Sequence, residues 1–174
     1  VKSLLIGSGF DRTRKLRLEG DPGGWEDLVT LDCDPGCSPD VQHDLGCLPY
    51  PFVDQLFDEI HAYDVLEHTG AQGDWKFFFR QFSEFWRILK LGGRFYATVP
   101  SPDSVWAWGD PGHKRLFHPE WVGFLNLEKY RRKDGKPVSV QSDGYLSEYT
   151  GNFGVLAAQA KDGHFAFALE KLPL

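Results

Sequence analysis

The sequence predicts an α/β fold: a three-layer arrangement around an open, mostly parallel sheet, with one antiparallel strand supplied by a C-terminal hairpin. Three observations predict it. Short apolar runs at Val1 to Ile6 and Leu28 to Leu31 end in the turns Gly7-Ser8-Gly9 and Asp32-Cys33-Asp34-Pro35-Gly36, as buried strands do. Helical periodicity marks the stretch from Asp74 to Lys90. Near the end, Lys161-Asp162-Gly163 separates two apolar runs, which is a hairpin signal.

Between the first two strands, Asp11 to Glu19 has room for a short helix at most, because Gly20-Asp21-Pro22-Gly23-Gly24 breaks anything longer. Val41 to Leu45 reads as a third strand and Phe57 to Val65 as a fourth, whose end is acidic at Asp64 and Glu67. In the helix, Trp75, Phe78, Phe79, Phe82, Phe85, Trp86 and Leu89 recur at three-and-four spacing and face the core, with Lys76, Arg80, Glu84 and Arg87 opposite. Asp74 caps its start and Gly92-Gly93 supplies its stop. Arg94 to Val99 is a fifth strand closed by Pro100, and Pro119 to about Arg132 reads as helical, with Arg131-Arg132-Lys133 as a solvated end. Phe153 to Ala160 and His164 to Leu172 are the hairpin arms.

The chain has 174 residues, 41% hydrophobic and 25% charged, without repeats or linker-like tracts, so one domain over residues 1–174 is expected. A net charge of −6 does not favour a coat of nucleic acid, and such a partner is not expected. No apolar run reaches the roughly 18 residues of a membrane span, and the amino terminus lacks the pattern of a signal peptide. With an odd count of three cysteines, these features fit a cytoplasmic protein with no membrane partner.

Open sheets of this kind bind ligands beyond the carboxyl ends of their strands, where Gly7, Asp32, Asp44 and Asp64 all fall. A dinucleotide loop would want a glycine at the sixth position from Gly7, which is Arg12, and no Gly-Lys-Ser/Thr phosphate loop is present. The turn suits an adenosine-type ligand without pyrophosphate. Asp32 suits either both hydroxyls of a ribose or an ordinary strand-end cap. Asp44 suits either an adenine amino group, with Leu45 and Cys33 packed on the ring, or a turn.

Six segments stand in the order found in one family. They are Leu4-Leu5-Ile6-Gly7-Ser8-Gly9, Leu31-Asp32-Cys33-Asp34-Pro35, His43-Asp44-Leu45, Leu48-Pro49-Tyr50-Pro51-Phe52 with Phe57-Asp58-Glu59-Ile60, Val65-Leu66-Glu67-His68, and Arg87 to Arg94. From Leu4 to Leu125 the chain resembles the class I S-adenosylmethionine-dependent methyltransferases, most closely their small type 11 group. The resemblance implies a Rossmann-like sheet and S-adenosylmethionine as cofactor. It places Gly7, Ser8 and Gly9 along the methionine part, Asp32 on the ribose, Asp44 and Leu45 on the adenine, and Tyr63 to Val65 nearest the sulfonium. Two positions depart from the family pattern: Leu5 replaces an acidic residue and Asp11 replaces the third loop glycine, leaving Asp11 and Asp64 as candidates for the cofactor's amino group.

Methyl transfer from a sulfonium is a direct displacement, in which orientation alone lowers the barrier by about 7–11 kcal/mol. A base is needed only for an acceptor that must lose a proton. His68 and His113 are the candidate catalytic residues; His68 equally suits a cap or a backbone bond. The loop with Trp106, Trp108, Asp110, His113, Lys114, Arg115 and His118 suits either an anionic or cyclic acceptor or a solvated surface. Cys33, Cys37, His43 and Cys47 have a spacing that zinc tolerates, but the tighter two-residue cysteine spacing is missing and no metal is expected. The sequence therefore predicts a methyltransferase for a small-molecule or glycan-like acceptor, with a noncatalytic cofactor-binding or zinc-bound interaction module as the rival.

Overall fold

The structure is a computed structural model that describes residues 1–132, 134 and 136–174. One sheet contains seven strands: β1 (Lys2–Ile6), β2 (Asp27–Asp32), β3 (Val41–Gln42), β4 (Phe57–Tyr63), β5 (Leu89–Pro100), β6 (Phe153–Lys161) and β7 (His164–Lys171). Their spatial order is β3-β2-β1-β4-β5-β7-β6. Every pairing among β1 to β5 is parallel, while β7 pairs antiparallel with both β5 and β6, so it is the single antiparallel strand the sequence predicts. Left-handed backbone at Asp162 and Gly163 closes the hairpin between β6 and β7. The chain leaves β1 toward β2 and β3 on one side and resumes at β4 on the other. That reversal puts a topological switch point between β1 and β4.

Helix α1 (Trp75–Ile88) connects β4 to β5, and the Asp74 carboxylate accepts the Phe77 backbone N–H at 3.0 Å as its cap. Its aromatic stripe packs on the β-sheet face formed by Leu4, Ile6, Ile60, Ala62, Phe95, Ala97 and Phe167, all buried. Two stripe residues lie less deep. Trp75 is 38% exposed, and half-buried Trp86 donates from Nε1 to the Leu172 carbonyl at 3.0 Å.

The expected stop at Gly92-Gly93 lies elsewhere: α1 ends at Ile88 and runs directly into β5, which contains both glycines. Gly92 takes a left-handed φ of +73°, and Gly93 answers to a close backbone approach, since a Cβ on it would stand 2.7 Å from the Lys90 carbonyl and 3.0 Å from that of Asp58.

On the opposite face of the sheet the third layer is chain without helix. Residues 10–26 lie across Ser3, Glu59, His61, Tyr63 and Tyr96, because side chains, not helical carbonyls, take their backbone donors. The Tyr63 hydroxyl accepts from Lys15 and Leu16 at 3.2 and 3.1 Å, and Asp21 accepts from Leu18 at 2.5 Å. Arg14 forks onto Glu59 at 2.8 and 2.9 Å, both side chains being almost fully buried. Asp21 in turn accepts from Tyr96 at 2.6 Å and pairs with Arg94.

His61 sits within this network, stacked on Tyr96 with Trp25 against its edge. Tyr63 already accepts two backbone donors, so its O–H donates to His61 Nδ1 at 2.7 Å, and the ring's Nε2–H donates to Glu59 at 3.3 Å. Burial pushes the His61 pKa down, in keeping with this neutral ring.

The third strand is shorter than predicted, covering only Val41–Gln42. The helix predicted from Pro119 is instead two 3₁₀ stretches, Pro119–Leu125 and Leu127–Lys129, because Asn126 caps the second by accepting from Glu128 at 2.9 Å. Two helices were not anticipated: α2 (Val105–Gly109) and α3 (Val140–Glu148). Helix α3 lies against α1 through Tyr145 on Trp75 and Phe79, and Glu148 accepts from Arg80 at 2.6 Å. Of the basic run, Arg131 and Arg132 are exposed and Lys133 lies outside the described residues. Among the described residues no helix is long and apolar enough to cross a membrane.

Candidate functional site

The switch point gathers the ends of β1, β2 and β4. Gly7 has φ +60° and donates to the Leu31 carbonyl at 2.8 Å; a Cβ there would fall 2.3 Å from Val65 Cγ2, so only glycine lets these strand ends meet. Gly9, at φ +49°, has nothing within 4 Å of where a Cβ would stand, and its N–H donates to Asp32 Oδ2 at 2.9 Å. Asp32 Oδ1 accepts from Asp34 at 2.9 Å. Both expected roles of Asp32 are thus compatible: it caps the loops, and each oxygen keeps a lone pair for a further donor.

The remaining predicted cofactor residues flank this point. Ser8 is buried and its Oγ has no partner among the described residues. Leu45 is buried, Cys33 is exposed, and exposed Asp44 accepts from Gly46 at 2.7 Å in a turn. Asp64 is exposed beyond β4 with φ +51°, and its carboxylate lies 3.8 Å from His164 Nε2. A glycine cradle, an available carboxylate and an orphaned buried hydroxyl fit an adenosine-type cofactor across these strand ends.

Past β4, a 3₁₀ turn at Leu66–His68 meets the loop after α2. The Glu67 carbonyl accepts from Lys114 and Arg115 at 2.9 and 3.2 Å, which ties the two segments together. This brings His68 and His113, the two candidate catalytic residues, into edge-to-face contact at 4.7 Å between ring centres. The His113 Nε2 lies 4.0 Å from the Glu67 carboxylate and 3.7 Å from that of Asp110. His68 Nδ1 lies 3.1 Å from the Gly112 carbonyl, which can only accept; Nδ1 therefore carries the proton and Nε2 keeps a free lone pair.

Glu67 itself was not singled out for chemistry in the sequence. It is only 2% exposed, and among the described residues neither carboxylate oxygen has a hydrogen-bond partner. Burial, followed by the nearby negative charges of Asp64 and Asp110, pushes its carboxyl up to about 8. The signal that marked it was its place directly before His68 at the end of a buried strand.

Arg115 departs from expectation. It does not reach out to an acceptor: it is 4% exposed and donates to the Leu66 carbonyl at 3.1 Å, Thr69 Oγ1 at 2.9 Å and Gln81 Oε1 at 2.7 Å. Phe77, Phe78 and Phe117 surround its guanidinium, and burial lowers its pKa to about 10. Lys114 stays exposed, as do Trp106 and Trp108 on α2, while His118 caps the Pro119–Leu125 stretch by accepting from Glu120.

The four residues considered for zinc are engaged separately. His43 Nε2 bonds the Cys47 carbonyl at 2.8 Å and Cys37 Sγ the Asp34 carbonyl at 3.0 Å, and among the described residues no three of the four converge.

No family model matches this chain, and no curated protein matches it in sequence. Solved structures do match. A SAM-dependent methyltransferase from Archaeoglobus fulgidus is 16% identical with a TM-score of 0.58, the match covering 98% of this chain and 86% of that one. An S-adenosylmethionine-dependent methyltransferase from Mesorhizobium loti is 13% identical with a TM-score of 0.54, over 98% of this chain and 90% of its own. A chain from the Haloferax volcanii complex of the Trm112 methyltransferase activator with a candidate methyltransferase is 13% identical with a TM-score of 0.58, over 99% and 82%. At these identities the likeness is one of fold, and this chain carries the Rossmann-like fold of the class I S-adenosylmethionine-dependent methyltransferases.

Proposed function

We propose that the chain is an S-adenosylmethionine-dependent methyltransferase acting on a small, hydroxyl-rich acceptor such as a sugar derivative. What supports this reading is the adjacency of two groups of residues at one switch point, the glycine turn Gly7–Gly9 with Asp32, and the cluster of Glu67, His68 and His113. When bound, the cofactor supplies an electrophilic methyl group. Asp32 would hold the ribose hydroxyls, Leu45 and Cys33 the adenine ring, Asp44 its amino group, and Ser8 Oγ with Asp64 the methionine end.

The lone pair on His68 Nε2 would accept the proton of an acceptor hydroxyl, with the Gly112 carbonyl holding the ring in that tautomer. Exposed Trp106 and Trp108, on the short helix that precedes the His113 loop, suit stacking on a sugar ring. A neutral acceptor fits better than an anionic one, because Arg115 is committed to the interior and the carboxylates of Asp64 and Asp110 flank the cluster. The same charge argues against a nucleic-acid acceptor.

Calorimetry with S-adenosylhomocysteine tests the reading. Binding is expected, and Asp32→Ala should weaken it by about 1.5–3 kcal/mol, the scale of hydrogen bonds to a charged group. Absence of binding by the intact chain at millimolar ligand would defeat the proposal.

A further inference from the structure

The cluster at Glu67 contains more than a base requires. The ligating atoms of Glu67, His68 and His113 all lie within 4.8 Å of one another. Two imidazoles and one carboxylate with open positions around them form a donor set suited to a divalent transition-metal ion. A second, independent observation points into the same space: the Glu67 carboxylate is 98% buried by its 2% exposure, yet both of its oxygens lack partners. A buried carboxylate without donors is costly, and a cation would satisfy both oxygens.

We propose that Glu67, His68 and His113 bind one divalent transition-metal ion. The surroundings supply the outer support that metal-bound histidines use. The Gly112 carbonyl accepts from His68 Nδ1, which leaves Nε2 as the ligand atom and fixes the ring. Asp110 is anchored by accepting from Gly112 at 2.7 Å, and its other oxygen stands 3.7 Å from His113 Nε2, close enough to become a fourth ligand.

Metal–ligand distances of about 2.0–2.1 Å put tetrahedral ligands about 3.3 Å apart, so side-chain torsions need draw these atoms inward by about an ångström. The backbone stays in place, because Lys114 and Arg115 bond it to Glu67. With the ion bound, His68 Nε2 is a ligand and no longer the base; a hydroxyl acceptor at an open position would give up its proton more readily, to the half-exposed Asp110 carboxylate or to solvent.

The proposal concerns the site of the proposed reaction but does not depend on methyl transfer, so its test uses metal alone. The chelator-treated full chain is titrated with Co²⁺ and followed by visible absorption, with Zn²⁺ as competitor and no adenosine ligand present. One Co²⁺ per chain is expected, displaced by Zn²⁺. Glu67→Gln, which keeps the shape of the side chain, and His113→Ala should each weaken binding by at least about 10-fold while circular dichroism stays unchanged. The double variant Cys33→Ser with Cys47→Ser should bind as the parent does. Less than one ion per chain at millimolar Co²⁺ would overturn the proposal. So would unchanged affinity in both Glu67→Gln and His113→Ala, or loss of the ion in the cysteine variant alone. Failure to bind S-adenosylhomocysteine would bear on the proposed function and leave this result untouched.

Discussion

Replacing Glu59 with alanine is expected to remove about 3–5 kcal/mol of folding stability, the usual cost of stripping a buried charge of its partner. Arg14 would remain buried between the 10–26 segment and the sheet, with its guanidinium 3.7 Å from Asp21 and no carboxylate in the fork that Glu59 fills. The pH dependence gives this an independent signature. Burial pushes the Glu59 carboxyl up, but hydrogen bonds from His61 and Arg14, with the charge of Arg14, outweigh it and hold the group at about 2.

Because that folded value lies below the ordinary 4.5, the stabilisation is present above about pH 4.5 and is lost as pH falls through about 2. The loss is on the order of 3 kcal/mol over that window. Urea unfolding of parent and Glu59→Ala from pH 6 to about pH 2.5 should show the two stabilities converging toward acid. Parallel curves would mean that the network does not hold the segment down.

Arg115→Ala is expected to cost about 3 kcal/mol of stability, from a cavity among Phe77, Phe78 and Phe117 together with lost bonds to Leu66, Thr69 and Gln81. Thr69 Oγ1 also donates to the Leu66 carbonyl at 2.8 Å, so part of the bonding survives and the loss is smaller than three full hydrogen bonds. The readout is a lower urea midpoint with unchanged slope. A stable variant with a weakened acceptor affinity would return Arg115 to the substrate-facing role that its place in a loop suggested. Its neighbour Lys114 is exposed and should be neutral for stability within about 0.5 kcal/mol.

These two arginines mark where local sequence stops being informative. Both sit in polar stretches of the chain, and both are almost fully buried because distant segments bring partners to them. Glu59 and His61 alternate with Ile60 and Ala62 in β4, and the two-residue period of a strand puts them on the opposite face. Whether that face met water or a packed network depended on residues 10–26, forty positions away in the chain. The absence of a helix there has a similar origin: Tyr63 and Asp21 take the backbone donors a helix would have used.

By itself the sequence determined the alternation of strands with α1, the hairpin, and the glycine and acidic positions at the strand ends. Those signals are local: a side-chain period, a cap, a turn that only certain residues tolerate. The order β3-β2-β1-β4-β5-β7-β6 is a matter of pairing between distant segments and belongs to the tertiary structure. Tertiary structure alone decided that Gly7 must clear Val65, that Arg115 belongs to the interior, and that Glu67 stands bare beside His68 and His113. The physical reason is common to all three. Clearance, desolvation and convergence of donor atoms are properties of groups far apart in sequence, and they take values only when the sheet has set those groups side by side.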